Sequence, residues 1–208
     1  SNNRLDDEVI TFDLQKVNEL LYGNWTQETL EKFGKFNSNN VIEKGLSEVI
    51  NKKVDLIIGG PPCQAYSLAG RAQDSNSMKN DYRNYLFESF VKIVGYFKPS
   101  MFLFENVPGM LSAKPGNKPV TQRIYEAFKA IGYSIKEPKE LHEAILDSSD
   151  FGVPQKRRRV IIIGINKKEY NHKVLDQIYD ELKNIKISSA KTVKDTIFNY
   201  PKIYPITK

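Results

Sequence analysis

One cysteine in 208 residues, Cys63, excludes an internal disulfide framework and any cysteine-rich zinc site. Two histidines, His142 and His172, are too few for a zinc cage without carboxylate help. No run approaches the roughly 18 consecutive apolar residues that a membrane helix needs. The leading SNNRLDDEV is polar and acidic, unlike a secretory leader. These features predict a cytoplasmic protein with no membrane partner. No repeat and no low-complexity run interrupts the chain. What is present is globular: 40% hydrophobic, 27% charged and 11% aromatic residues. The net charge of +6, from 31 Lys and Arg against 25 Asp and Glu, leans toward a polyanionic partner without identifying one.

Hydrophobic periodicity orders the chain. Residues 1–50 read as helical, with Leu14, Val17, Leu20 and Leu21 on one face, Asp13 as cap and Gly23 as stop. Thr26 caps a second short helix carrying Leu30 and Phe33. Val54–Ile58 (VDLII) reads as a strand buried on both faces, ended by GGPP. A helix capped by Asp81 runs to about Phe97. MFLF (101–104) is the next strand. Thr121 caps a helix that turns Ile124, Phe128 and Ile131 inward and ends at Gly132. Strand-like sequence runs from Tyr133 to about Leu146, VIIIGI (160–165) is a buried strand, and Val174, Leu175, Ile178 and Leu182 mark a last helix. The tail with Pro201 and Pro205 is expected to leave the compact body.

Alternating strands and helices predict an α/β fold with a mostly parallel sheet, whose ligands sit at the carboxyl ends of the strands. GGPPCQ and ENVPG follow two such strands, so Cys63 and Glu105 are expected on one edge. The run Lys156-Arg157-Arg158-Arg159 precedes its strand. Leu146 to Arg159 is too short for a helical crossover and holds Gly152 and Pro154, so strand 160–165 is expected to be antiparallel. The arginines then arrive at the same edge.

The chemistry of these residues has two readings each. Cys63 is either a small buried filler or a nucleophile on a loop stiffened by Pro61 and Pro62 and left open by Gly59 and Gly60. Glu105 is either a cap or surface ion pair, or a carboxyl group that hydrogen-bonds a ligand. The basic run is either a solvated face or a pair of guanidiniums, Arg157 and Arg159, pointing the same way into a cleft.

Four ordered segments, GGPPCQAYSLAGR (59–71), DYRNYLF (81–87), ENVPGML (105–111) and DFGVPQKRRRVIIIG (150–164), closely resemble the DNA cytosine-5 methyltransferases. The resemblance spans roughly residues 42–201. It implies the Rossmann-like, S-adenosylmethionine-dependent methyltransferase fold, double-stranded DNA as substrate and S-adenosyl-L-methionine as methyl donor, with a restriction–modification role. By resemblance, Cys63 attacks carbon 6 of a flipped cytosine, Glu105 serves ring nitrogen 3 and the exocyclic amine, Arg159 contacts the base carbonyl, and Arg157 fixes the loop. Pro62, Gln64, Ser67, Asn106, Val107 and Gln155 fall at substrate-proximal positions, and Gly60 and Leu86 at cofactor-proximal ones. The chain departs from the family in having no F-x-G-x-G turn, since no two of its 12 glycines are separated by a single residue. Lys44-Gly45-Leu46-Ser47 stands where an acidic G-D-I-like segment is expected.

These departures predict a partial catalytic domain over 1–208, with a core of about 42–190 and 191–208 leading toward an absent target-recognition region. The first cofactor-binding strand is then missing, and a companion chain is one source of the missing segments. The competing readings are a non-catalytic DNA- or partner-binding remnant, a thymidylate-synthase-like enzyme, and a cysteine hydrolase using His142 or His172. An RNA-directed relative belongs to the same family.

Overall fold

The computed structural model describes residues 9–36, 43–61, 86–114, 117–187, 189, 191–198, 200 and 201. Cys63, Pro62, Gln64, Ser67, Asp81 and Pro205 lie outside them.

The N-terminal helices start and stop where the sequence dictates. Asp13 accepts a hydrogen bond from the Gln15 amide and opens a 3-10 turn, Leu14–Lys16. This runs into α1, Val17–Tyr22, which stops at Gly23 with φ 69°. Thr26 caps α2, Gln27–Phe33, through the Thr29 amide. Phe33 is buried there, whereas Leu30 is exposed. A short α3, Leu46–Val49, follows Gly45.

The described residues form a five-stranded sheet in the order β1 (Leu56–Gly59), β2 (Met101–Asn106), β5 (Arg158–Asn166), β3 (Tyr133–Ser134). β4, Ile145–Asp147, pairs with β5 as well. β1 and β2 are parallel. β5 is antiparallel to β2, β3 and β4. Four strands therefore run one way and β5 alone runs against them. The hairpin-like return read from the sequence holds.

One sheet face is the core. Ile57 pairs with Phe102 and Gly59 with Phe104, while Asn106, Phe104 and Phe102 face Val160, Ile162 and Gly164. α4 (Leu86–Phe97) and α5 (Val120–Ala130) supply Phe90 and Phe128, and the rings of Phe102 and Phe128 stack at 4.1 Å. Such aromatic pairs add about 0.5–1.5 kcal/mol each beyond area burial. Gly164 makes room for this cluster, because a Cβ there would lie 2.1 Å from the Phe102 ring. α6, His172–Asn184, packs on β5 through Leu175 and Tyr179. α7, Val193–Ile197, opens on a Thr192–Asp195 capping box and exposes Val193 and Ile197.

Three sequence expectations are corrected. The strand in VDLII begins at Leu56 and is not buried on both faces: Leu56 and Ile58 are 48% and 66% exposed, because β1 is an outer strand of the described sheet. Thr121 is not a cap, since Pro119 holds that position in extended conformation and Thr121 lies buried inside α5. The stretch 133–146 is not one strand, because Pro138 starts a 3-10 segment, Pro138–Ala144, that divides β3 from β4.

That division leaves the middle of β5 without a neighbour on one side. Tyr179 fills it: its hydroxyl accepts from the Ile163 amide at 3.0 Å and donates to the Ile161 carbonyl at 2.9 Å. Among the described residues, no helix is long and apolar enough to cross a membrane.

Candidate active site

The strand directions bring the ends of β1 and β2 and the start of β5 to one edge. Glu105 is opposite Ile161 in the ladder. Arg159, two residues earlier on β5, is its diagonal neighbour on the same face. Its Nε lies 2.6 Å from Glu105 Oε1, a charge-assisted contact between partly covered side chains. Arg159 Nη1 also donates to the Arg158 carbonyl at 2.8 Å. Two of the residues singled out in the sequence are thus in direct contact.

Gly60 completes this corner. A Cβ on Gly60 would lie 2.8 Å from Glu105 Oε2. A side chain there would push the carboxylate aside. Gly59 answers to packing instead, since a Cβ there would lie 2.3 Å from the Phe90 ring.

Asn106 ties the two loops together. It is 3% exposed, its Oδ1 accepts from the Val107 amide at 2.7 Å, and its Nδ2 donates to the Pro61 carbonyl at 3.4 Å. The chain leaving β1 is thereby fastened to the end of β2 two residues before Cys63. Val107 caps the 3-10 segment Pro108–Ser112. Leu86 is buried at the start of α4.

The β4–β5 connection is closed at its base. Asp147 Oδ1 accepts from the Ser149 amide at 3.1 Å, the Ser149 hydroxyl at 2.9 Å and the Arg157 amide at 3.1 Å. The Ser149 amide, more than the Ser149 hydroxyl, the Arg157 amide or the charge of Lys156, holds the Asp147 carboxyl below its ordinary value. The Ser148 amide donates to the Arg157 carbonyl at 3.1 Å, and its hydroxyl to the Gln155 carbonyl at 2.6 Å. Gly152, at φ 85°, makes the left-handed turn that Phe151 cannot make as easily. Arg157 and Gln155 stand exposed on this loop. Asp147 and Ser148 were absent from the sequence reading; a signal existed in their position just ahead of the Gln155-x-Arg157-x-Arg159 pattern.

A parallel β1–β2 pair, a reversed β5 and flanking helices define the Rossmann-like fold of S-adenosylmethionine-dependent methyltransferases. A DNA modification methyltransferase described as encoded within an E. coli prophage superposes with a TM-score of 0.55 at 25% identity, covering 92% of this chain and 42% of that one. The family described as C-5 cytosine-specific DNA methylase matches residues 14–206, and the chain belongs to it. Its relatives include the type II methyltransferase M.Bpa9945I of Bacillus paralicheniformis, 44% identical over 169 residues, covering 79% of this chain and 36% of that protein. The type II methyltransferase M.AquIA of Picosynechococcus is 35% identical over 161 residues, covering 74% of this chain and 63% of that protein. The chain thus spans about a third of the length of the first and less than two thirds of the second.

Proposed function

We propose that this chain carries the base-attacking part of a DNA cytosine-5 methyltransferase of a type II restriction–modification system. The observation that carries the reading is the contact between Glu105 and Arg159 beside Gly60 and Pro61, two residues before Cys63 in the chain.

Carbon 5 of cytosine is a poor nucleophile within its aromatic ring. A Cys63 thiolate adds to carbon 6 and makes carbon 5 enamine-like. Glu105 donates a hydrogen bond or proton to ring nitrogen 3 and accepts from the exocyclic amine, stabilising charge that develops during attack. Arg159 meets the base carbonyl, and the exposed Arg157 holds the flipped nucleotide. Gln155, Pro62, Gln64 and Ser67 are substrate-proximal in this reading, and Asn106 and Val107 secure the chain behind Glu105. After loss of the carbon-5 proton, elimination of the Cys63 thiol restores the aromatic ring. The base must leave the duplex to be reached.

S-adenosyl-L-methionine, when bound, supplies an electrophilic methyl group. The bare backbone at Gly60 lets the chain pass close to the Glu105 carboxylate, which occupies the space a side chain there would need. Gly60 and Leu86 are the residues that would hold the methyl donor.

The test is covalent trapping. A duplex oligonucleotide carrying 5-fluorocytosine is incubated with S-adenosylmethionine and the chain, alone and with the family's remaining segments supplied as a companion chain. The expected result is a denaturation-resistant protein–DNA species that Cys63→Ala removes while DNA binding persists. DNA binding without trapping or methyl transfer in either arm would leave the non-catalytic binding reading standing instead.

A further inference from the structure

We propose that Asp147 is a positioning residue that sets the Arg157–Arg159 segment against Glu105. This rests on the catalytic reading given above and extends it to a residue that touches neither base nor methyl donor.

The β4–β5 connection spans the residues between Asp147 and Arg158, which are themselves register partners. A connection of this length has little intrinsic preference for one register. One Asp147 oxygen fixes it from both ends, taking the Ser149 amide and hydroxyl at the start of the loop and the Arg157 amide at its finish. The reciprocal Ser148 amide to Arg157 carbonyl bond closes the same base. That base fixes Leu146 opposite Arg159. With Glu105 opposite Ile161 on the other side of β5, the Arg159 guanidinium reaches Oε1. Arg159 lies one residue beyond the β2–β5 ladder, which ends at Val160, so its pairing with Leu146 is what holds its backbone in place. Small displacements matter, because misplacing a reacting group by about 1 Å is able to cost about 10²-fold in rate.

The carboxylate does this as an acceptor. Asp147→Asn keeps an oxygen at the same place, Asp147→Ala removes it, and Asp147→Glu keeps the charge but moves the oxygen by one methylene. The first readout is independent of activity. The Arg159 Nε–H resonance is followed by NMR, with its assignment to the Glu105 contact established by Glu105→Gln. Asp147→Ala and Asp147→Glu are expected to broaden or shift it and to deprotect the Ser149 and Arg157 amides. Asp147→Asn is expected to restore both, and the Phe104 and Ile162 amides to stay protected in all three.

The second readout is methyl transfer by the trans-complemented enzyme. Asp147→Ala and Asp147→Glu are expected to lower kcat by about 10- to 10²-fold with little change in KM for DNA, and Asp147→Asn to stay within about threefold of the parent. An Arg159 signal untouched by Asp147→Ala and Asp147→Glu would overturn the proposal, as would protection lost throughout β5. If the Arg159 signal responds as expected but the parent protein transfers no methyl group, the catalytic reading fails and the structural role of Asp147 stands. Should Asp147→Ala fail to fold, Asp147→Glu against Asp147→Asn decides the same question.

Discussion

Arg159 Nε and Glu105 Oε1 stand 2.6 Å apart on diagonal positions of two antiparallel strands. In the function proposed above, the acid serves the ring nitrogen and amine of a cytosine and the guanidinium serves its carbonyl. Glu105→Gln is expected to slow methyl transfer by about 10²-fold or more, as for loss of one preorganised stabilising group. Stability should change by about 1 kcal/mol or less, because both side chains are partly open to solvent. Single-turnover kinetics and a thermal melt separate the two effects.

Gly60 is expected to tolerate no side chain without loss of this geometry. In Gly60→Ala the new Cβ would lie 2.8 Å from Glu105 Oε2, so the carboxylate must swing away. The fold should survive, since the atom that gives way is the end of a side chain. The expected outcome is a fall in transfer rate of about 10-fold or more with little change in melting temperature. Gly164→Ala should do the reverse. Its Cβ would meet the Phe102 ring at 2.1 Å, an overpacking that costs typically about 1–3 kcal/mol.

Tyr179 tests how the broken strand is held. Tyr179→Phe removes the hydroxyl that serves both the Ile163 amide and the Ile161 carbonyl. An unsatisfied buried group costs about 1–3 kcal/mol, so the denaturation midpoint should fall with the slope unchanged. Amide exchange at Ile163 should accelerate, while that at Ile162, which faces β2, should not.

Asp147 gives the arginine loop a pH dependence of known sign. Its folded carboxyl titrates below the ordinary value of 3.8, held down first by the Ser149 amide. A depressed acid contributes its full stabilisation above the ordinary value and loses it as pH falls through the folded value. The loop base should therefore lose part of its stability only below about pH 4, the protonated acid keeping one carbonyl acceptor as Asn does. Acid proteolysis between Ser148 and Arg157 reports the loss, and Asp147→Asn should remove the titration.

Much of this arrangement was legible in the residues. VIIIGI reads as a buried strand, and the short, Gly- and Pro-bearing connection before it predicts the reversal of β5, which places Arg159 beside Glu105. Four matching segments then identified the family. Other features depended on neighbours that periodicity does not encode. VDLII has the composition of a central strand, but its burial is decided by what lies beside it, and Ile58 is open. Thr121 has the chemistry of a cap, yet the helix already begins at Val120 after Pro119, so Thr121 falls inside it. Asp147 carries no sequence signal of its own, because its three donors converge only after the loop has folded. Whether Cys63 faces the Glu105–Arg159 pair lies outside the described residues.

The reversal of β5 also governs where the chain goes next. Its last residues point to the far side of the sheet, and α6 travels back. At the end of that return the Ile187 amide bonds the Asp150 carbonyl at 2.8 Å and Lys186 pairs with Asp150, also at 2.8 Å. The downstream polypeptide is therefore leashed to the arginine-bearing turn. A pull on the segment beyond Ile187 acts on Asp150, in the turn between Asp147 and Arg157.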